Sequence, residues 1–432
     1  MTQLLQQIAS PQYLKESWDK LNKVNKSSRG MSYETIEEFK NTLEIQIQEI
    51  SKRLLNNTYK FNDVRAVLIP KKIKGEFRPL RIADIKDRLV QKALSNKLEE
   101  LLSVKFNLDN DCSYAYQKKR GIEHAITAAV DHFKKGNRFI LEADIKKFFD
   151  NVNRKKLLNK VFSELPDSSI NNLIEEALSQ SVGNLEDHSH EYHHYFLDSI
   201  EGIPQGNSLS PLLANIYLSS FDQRMINEGF CLVRYADDFI VLCKSFEEAK
   251  HALEIAKEEL EQKLDLELHE LPSPTFLKTS KTRIVDPFFH EFSFLSIRFD
   301  GKSVWVSEKK VKDLLEKIKD ITDLTLYKND RDFQGLLTII RRLKNLLEGW
   351  LASYKFVDVD REFGEIDNYI NHRLLHIFIK LDFKIKSTAT KTIKLKGQSK
   401  FVQAFSNTQR TNTGVLMCEE FISKLDRNKI II

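Results

Sequence analysis

The 432-residue chain reads as an α+β protein whose last third turns mainly helical. Two observations predict this. Short apolar runs with β-type spacing (64–82, 138–144 and 230–242) alternate with longer segments that repeat every three to four residues. After about residue 307 the strand-like runs stop and the helical period takes over.

Taken in order, Glu34 to Leu55 is expected as an amphipathic helix, with Ile36, Phe39, Leu43, Ile47, Ile50 and Leu54 on one stripe. Val64 to Ile82 is expected as two strands joined by the basic turn Lys71 to Gly75. Ile85 to Leu102 is helical by period. Arg138 to Asp144 is a short apolar strand ending on an acid. Helices are expected over 153–163, 168–181, 208–226 and 246–263, and a strand, turn and strand over 230–242. Residues 292–299 and 302–306 suggest a closing hairpin. Leu336, Ile340, Leu343, Leu347, Trp350 and Tyr354 form one apolar helical seam.

Composition narrows the possible classes. The chain is 41% hydrophobic and 30% charged, enough for two or three domains with a sizeable core. Net charge is only +5, but it is unevenly spread. Residues 64–88 hold eight Lys or Arg against three acids, and residues 384–400 hold six lysines and no acid. Such stretches suit a polyanion, although a charge run by itself is often only a solvated face. The four cysteines (Cys112, Cys231, Cys243 and Cys418) form no CxxC pair, so neither a zinc ribbon nor a disulfide framework is expected. No apolar run reaches about 18 residues, and the first residues lack signal-peptide character, so a cytoplasmic protein with no membrane partner is expected.

Tyr235-Ala-Asp237-Asp238-Phe-Ile-Val-Leu is the most informative stretch. Apolar residues on both sides make a buried hairpin with two carboxylates at its tip. Charge there is costly unless a cation compensates, and hard oxygen ligands favour Mg²⁺. Neighbouring strand residues point to opposite faces, so a second ligand is sought elsewhere. Asp144, at the end of its own apolar strand, is the natural candidate. Two such strands side by side would give the carboxylate geometry of two-metal phosphoryl transfer. A lone Asp-Asp also fits a surface turn; the other blocks decide the reading.

Those blocks are Arg78-Pro-Leu-Arg-Ile, Asp87-Arg-Leu-Val-Gln91, Ser113 to Gly121 (SYAYQKKRG), Ala143-Asp-Ile-Lys-Lys-Phe-Phe149, Gly202 to Pro211 (GIPQGNSLSP), Tyr235-Ala-Asp-Asp238, Lys281-Thr-Arg283 and Phe292-Ser-Phe-Leu295. In this order, over roughly residues 20–375, the sequence resembles the bacterial reverse transcriptases of the group II intron and retron type. The resemblance implies a right-hand polymerase: an N-terminal helical extension over 1–60, fingers and palm with an antiparallel sheet over 61–304, a helical thumb over 305–380 and a basic tail over 381–432. It implies that Asp144 and Asp237, supported by Asp238, hold two Mg²⁺ ions, with Mn²⁺ as an alternative. It also implies that Lys71 and Arg78 grip the triphosphate of an incoming dNTP, that Phe149 is the steric gate against a 2′ hydroxyl, that Gln205 packs on the new base pair, and that Lys281 stands near the leaving pyrophosphate. Two departures stand out. Ser296 replaces a glycine common after Phe-Leu, and the loop Glu270 to Ser280 is longer than usual.

The region after about 380 has one Cys and no His, unlike the nuclease of mobile intron proteins. By elimination the chain resembles stand-alone enzymes of the "unknown group", many of them antiphage-defence proteins that copy a cognate non-coding RNA into cDNA. Lys20 to Arg29 and the lysines of 384–400 are then candidate RNA contacts. The alternatives are a nuclease-less intron maturase, a non-catalytic RNA-binding protein, and template-independent DNA synthesis by the same residues.

Overall fold

The computed structural model describes residues 3–25, 28–71, 75–197, 201–327, 334–427 and 429–430. Part of the expected basic turn (72–74) and of the basic segment 20–29 (26–27) lies outside the described residues. Among the described residues eleven strands are interleaved with helices: β1 Arg65–Pro70, β2 Phe77–Ile82, β3 Phe139–Asp144, β4 Cys231–Tyr235, β5 Asp238–Cys243, β6 Arg283–Val285, β7 Phe292–Phe294, β8 Ile297–Phe299, β9 Val304–Val306, β10 Thr390–Lys394 and β11 Phe401–Phe405. The fold class is α+β. The chain divides into two units, Met1–Ala125 with Phe139–Ile284, and Ile126–Arg138 with Val285–Ile432.

In the first unit, the helix expected from Glu34 is two helices, Ile36–Asn41 and Leu43–Leu55. A capping box of Thr35 and Glu38 starts the first. Thr42 ends it: its hydroxyl donates to the Phe39 carbonyl, which draws the backbone out of the helical ladder. The stripe nevertheless stays inward, with Ile36, Phe39, Ile47, Ile50 and Leu54 buried. These side chains and those of the helices Leu4–Ala9 and Pro11–Asp19 join one core with Ile85–Leu102 and the β-sheet. The apolar seams of the described residues within 3–60 therefore share the core of this unit.

The central sheet has the order β4-β5-β3-β6. Strands β4 and β3 both pair antiparallel with β5. From Phe239 onward β5 is buried at every position, as a strand covered on both faces must be. The helices Ser210–Asn227 and Phe246–Lys257 pack on this sheet. β1 and β2 form a separate two-stranded hairpin, with Arg65 opposite Ile82 and Pro70 opposite Phe77.

In the second unit, the expected closing hairpin is a three-stranded sheet, β7-β8-β9. Phe133 meets Phe299 edge to face at 4.7 Å. The helices Glu308–Ile321, Leu336–Tyr354 and Phe363–Lys380 follow. Residues 381–432, read from sequence as a basic tail, contain the β10–β11 hairpin and the helices Asn407–Asn412 and Cys418–Ile422. They are anchored by a fully buried Arg410, which donates to Asp367 Oδ1 at 2.7 Å and to the Val415 carbonyl at 3.2 Å. Among the described residues no helix is long and apolar enough to cross a membrane.

Candidate active site

The β4–β5 turn is the tightest possible: Tyr235 pairs with Asp238, leaving Ala236 and Asp237 as the loop. Ala236 has φ +60°, a conformation L-residues normally avoid at a cost of about 1–2 kcal/mol. A primed two-residue turn needs it, because only that twist matches the flanking strands. What holds the turn is Arg234. Its side chain is 1% exposed and that of its partner Asp222 is 2% exposed. Arg234 donates to Asp222 Oδ1 at 2.6 Å, to Ser113 Oγ at 2.8 Å, to Asn215 Oδ1 at 3.2 Å and to the Ala236 carbonyl at 2.9 Å. The last bond fixes the peptide immediately before Asp237. Asp222 keeps this arginine charged, against the effect of burial.

Across the sheet, Asp144 stands directly opposite Asp238 in the β3–β5 ladder, with Asp237 next to it in the turn. The strands are thus adjacent as expected, and the register partner of Asp144 is Asp238. Burial, then the field of Asp144, raises the Asp237 carboxyl above its ordinary range, while Arg78 and Lys281 pull it down. Asp238 is pushed up to about 7, first by burial and then by Asp237, Asp144 and Glu142. Asp238 still keeps an exposed edge, so solvent or a cation reaches it. Lys281 Nζ donates to Asp144 Oδ2 at 2.5 Å, and His269 Nε2 lies 3.6 Å from the same oxygen. Glu142, two residues before Asp144, pairs with Arg283 at 2.6 Å. Burial pushes Glu142 up and Arg283 opposes it.

The donor set fits a hard dication: three crowded carboxylates, two of them held above their ordinary range by burial and by one another. Among the described residues no three His, Cys, Asp or Glu side chains form a ready-made metal cage. Such a site would be completed by substrate phosphates and water, as Mg²⁺ sites on few carboxylates are.

Two glycines seat the neighbouring loop. Gly202 (φ +78°) accepts no Cβ, which would lie 2.5 Å from the Phe149 carbonyl; Ile203 N–H donates to that same carbonyl at 2.8 Å. Gly206 (φ +104°) would place a Cβ 2.7 Å from the Arg81 carbonyl, and Arg81 N–H donates to the Gln205 carbonyl at 2.8 Å. Phe149 and Gln205 therefore flank one loop, with β2 against it. The ring of Phe149 is half-buried and meets Phe148 edge to face at 5.4 Å. Arg78, exposed on β2, acts on Asp237. Lys71 pairs with Glu76 at 3.6 Å, and its field reaches Asp150, the neighbour of Phe149. The structure thus gathers Asp144, Asp237, Asp238, Lys281 and Arg78 in one electrostatic cluster. Phe149 and Gln205 flank the adjoining loop, and the field of Lys71 reaches Asp150 beside Phe149.

Sequence reasoning missed Arg234, Glu142 and Tyr116. Tyr116 has φ +61°, and burial followed by Asp237 raises its hydroxyl. An arginine inside an apolar strand could have signalled a buried pair; Tyr116 lies in the block Ser113 to Gly121, to which no site role was attached, and nothing in the sequence marked Glu142.

Residues 69–282 match the family described as Reverse transcriptase (RNA-dependent DNA polymerase), and residues 311–393 match Group II intron, maturase-specific domain. The group II intron-encoded protein LtrA of Lactococcus lactis subsp. cremoris is 29% identical over 303 residues, 68% of this chain and 48% of that protein. Protein YkfC of Escherichia coli (strain K12) is 29% identical over 229 residues, 51% of this chain and 56% of that protein. The chain thus spans about half the length of these relatives. A partial Cas6-RT-Cas1–Cas2 complex aligns with a TM-score of 0.34 at 27% identity, covering 61% of this chain and 43% of that one. With a polymerase family match laid over the acidic turn and a maturase match following it, the chain belongs to the bacterial reverse transcriptases of the group II intron and retron-like type.

Proposed function

We propose that the protein is an RNA-directed DNA polymerase that copies a bound RNA into cDNA. The observation that carries this reading is the acidic turn, with Asp144 opposite Asp238, Asp237 beside them, and a buried arginine gripping the turn. On this reading residues 61–304 work as fingers and palm, 305–380 as thumb, 1–60 as an N-terminal extension and 381–432 as a basic C-terminal region. Asp144 and Asp237, with Asp238, would hold two Mg²⁺ or Mn²⁺ ions, which when bound acidify the attacking hydroxyl and offset phosphate charge. The primer 3′ hydroxyl gives up its proton, its oxygen bonds to the α-phosphorus of a dNTP, and pyrophosphate leaves. Arg78 and Lys71 bind the triphosphate as a cationic clamp. Phe149 stands against the sugar and Gln205 against the new base pair. Lys281, bonded to Asp144 in this structure, turns to the departing pyrophosphate.

The test is synthesis on a primed RNA template. Asp237→Ala is expected to abolish it while RNA binding stays near wild type; polymerisation persisting in that variant would sink the assignment. For the biological role we favour antiphage defence with a cognate non-coding RNA, in the cytoplasm. The maturase-specific match over 311–393 favours a second reading, an RNA-splicing cofactor. Sequencing the RNA and DNA that co-purify with wild type and Asp237→Ala separates the two. A small non-coding RNA with Asp237-dependent cDNA supports defence, and intron RNA supports splicing.

A further inference from the structure

A two-stranded hairpin is marginal by itself, yet β1–β2 carries Lys71 at its end and Arg78 on its second strand. What holds it follows from its hydrogen-bond pattern. Lys71 N–H donates to the Glu76 carbonyl at 2.8 Å, so with this register the odd-numbered residues of β1 pair inward with the even-numbered residues of β2. The outward groups then belong to Ala66, Leu68 and Pro70 on β1, and to Phe77, Pro79 and Arg81 on β2. Buried edges need partners for such groups.

One segment, 181–197, supplies many of them. Beside β1, Val64 N–H donates to the Ser181 carbonyl at 2.7 Å and Gly183 N–H donates to the Val64 carbonyl at 3.0 Å. Asn184 then replaces a strand with its side chain: its Oδ1 accepts from Ala66 N–H at 2.7 Å, and its Nδ2 donates to the Ala66 carbonyl at 3.3 Å. His188 Nε2 reaches the same carbonyl at 3.1 Å. Beside β2, the Tyr195 hydroxyl accepts from Phe77 N–H at 3.3 Å. The Phe77 ring meets Tyr192 at 4.9 Å and Tyr195 at 6.1 Å. Arg81 donates to the Phe196 carbonyl at 2.7 Å, and its N–H is taken by Gln205. Pro70 and Pro79 have no N–H to satisfy. The segment thus grips both outer edges of the hairpin, with Asn184 on one side and Tyr195 on the other.

We propose that residues 181–197 are a brace that sets the position of the β1–β2 hairpin and, through Arg78 and Lys71, the affinity for the incoming nucleotide. This rests on the polymerase reading for its nucleotide half. Asn184 and Tyr195 are positioning residues: they touch the hairpin backbone and act through the cationic clamp.

The experiment uses the full chain as Asn184→Ala, Tyr195→Phe and Tyr195→Ala. Hydrogen exchange over 65–82 is read first, since it does not depend on synthesis. Exchange of the Ala66 amide is expected to quicken in Asn184→Ala, and that of Phe77 in the Tyr195 variants, while the helix Ile85–Leu102 keeps its protection. Unchanged exchange overturns the brace. Steady-state synthesis is read second. KM for dNTP is expected to rise about 2- to 10-fold per hydrogen bond removed, with kcat and RNA affinity kept. That rise should vanish in an Arg78→Ala background, because coupled residues are not additive. An unchanged KM, or a joint fall of kcat, RNA affinity and melting temperature, overturns the positioning role. If exchange quickens as expected but wild type makes no Asp237-dependent DNA, the brace stands and the polymerase reading falls.

Discussion

Arg234 and Asp222 sit almost out of contact with solvent two residues or more from the acidic turn, and their cost is that of a buried ion pair. Every guanidinium nitrogen of Arg234 has an acceptor, including the Ala236 carbonyl, so the pair fixes the peptide before Asp237 as well as balancing charge. The placing of Asp144 beside the Asp237-Asp238 turn was legible in the sequence, because a carboxylate at the end of an apolar run is costly without a compensating cation and two such strands pair readily. Arg234 was not, because its acceptors are distant in sequence: Asn215 and Asp222 on the helix Ser210–Asn227, and Ser113 121 residues away. Phe149 was legible only through the resemblance, since half-buried aromatics are common in any core. If its ring guards the sugar, Phe149→Ala should raise ribonucleotide incorporation by tenfold or more (a loss of about 1.4 kcal/mol of discrimination), measured as the rNTP to dNTP ratio of kcat/KM. Unchanged selectivity would remove Phe149 from that role.

At the scale of elements, strand and helix positions were read well wherever the apolar period was clean, as in β3, β5 and Leu336–Tyr354. The break at Thr42 was not, because a single hydroxyl bonding back to Phe39 leaves the apolar stripe unchanged. The β7–β8 turn shows what the departure at Ser296 costs. Phe294 pairs with Ile297, so Leu295 and Ser296 form a two-residue loop, and both have positive φ (+50° and +69°). That is a type I′ requirement that glycine meets without steric cost. Ser296→Gly is therefore expected to stabilise the protein by about 0.5–1 kcal/mol, relief of strain exceeding the added freedom of the unfolded chain. A thermal melt checks it; a lower Tm would show that this turn is unstrained. The brace was illegible for a different reason: Asn184 and Ala66 are 118 residues apart, and Asn is an ordinary loop residue.

For the whole molecule, a net charge of +5 hides a local polarity that folding organises. In the β10–β11 hairpin Ile393 and Ala404 are buried, while Lys394 is exposed opposite Phe401, which is 67% exposed. Lys396 and Lys400 extend this exposed side. Lysines beside an open aromatic suit a single-stranded polyanion. Replacing Lys394, Lys396 and Lys400 with Gln is expected to weaken RNA binding and to make its logarithmic salt dependence shallower by about 2 (roughly 0.7 per phosphate no longer neutralised). Binding titrations at several salt concentrations check this, and an unchanged slope would place the RNA elsewhere. The two prolines of the braced hairpin bear on the molecule in company with its copies. An exposed strand edge is a template on which another chain can add a strand, the route to aggregation. With Pro70 on one outer edge and Pro79 on the other, and with side chains of 181–197 occupying the neighbouring groups, this hairpin offers no continuous ladder to a second molecule. Strand addition between copies through this hairpin is therefore disfavoured.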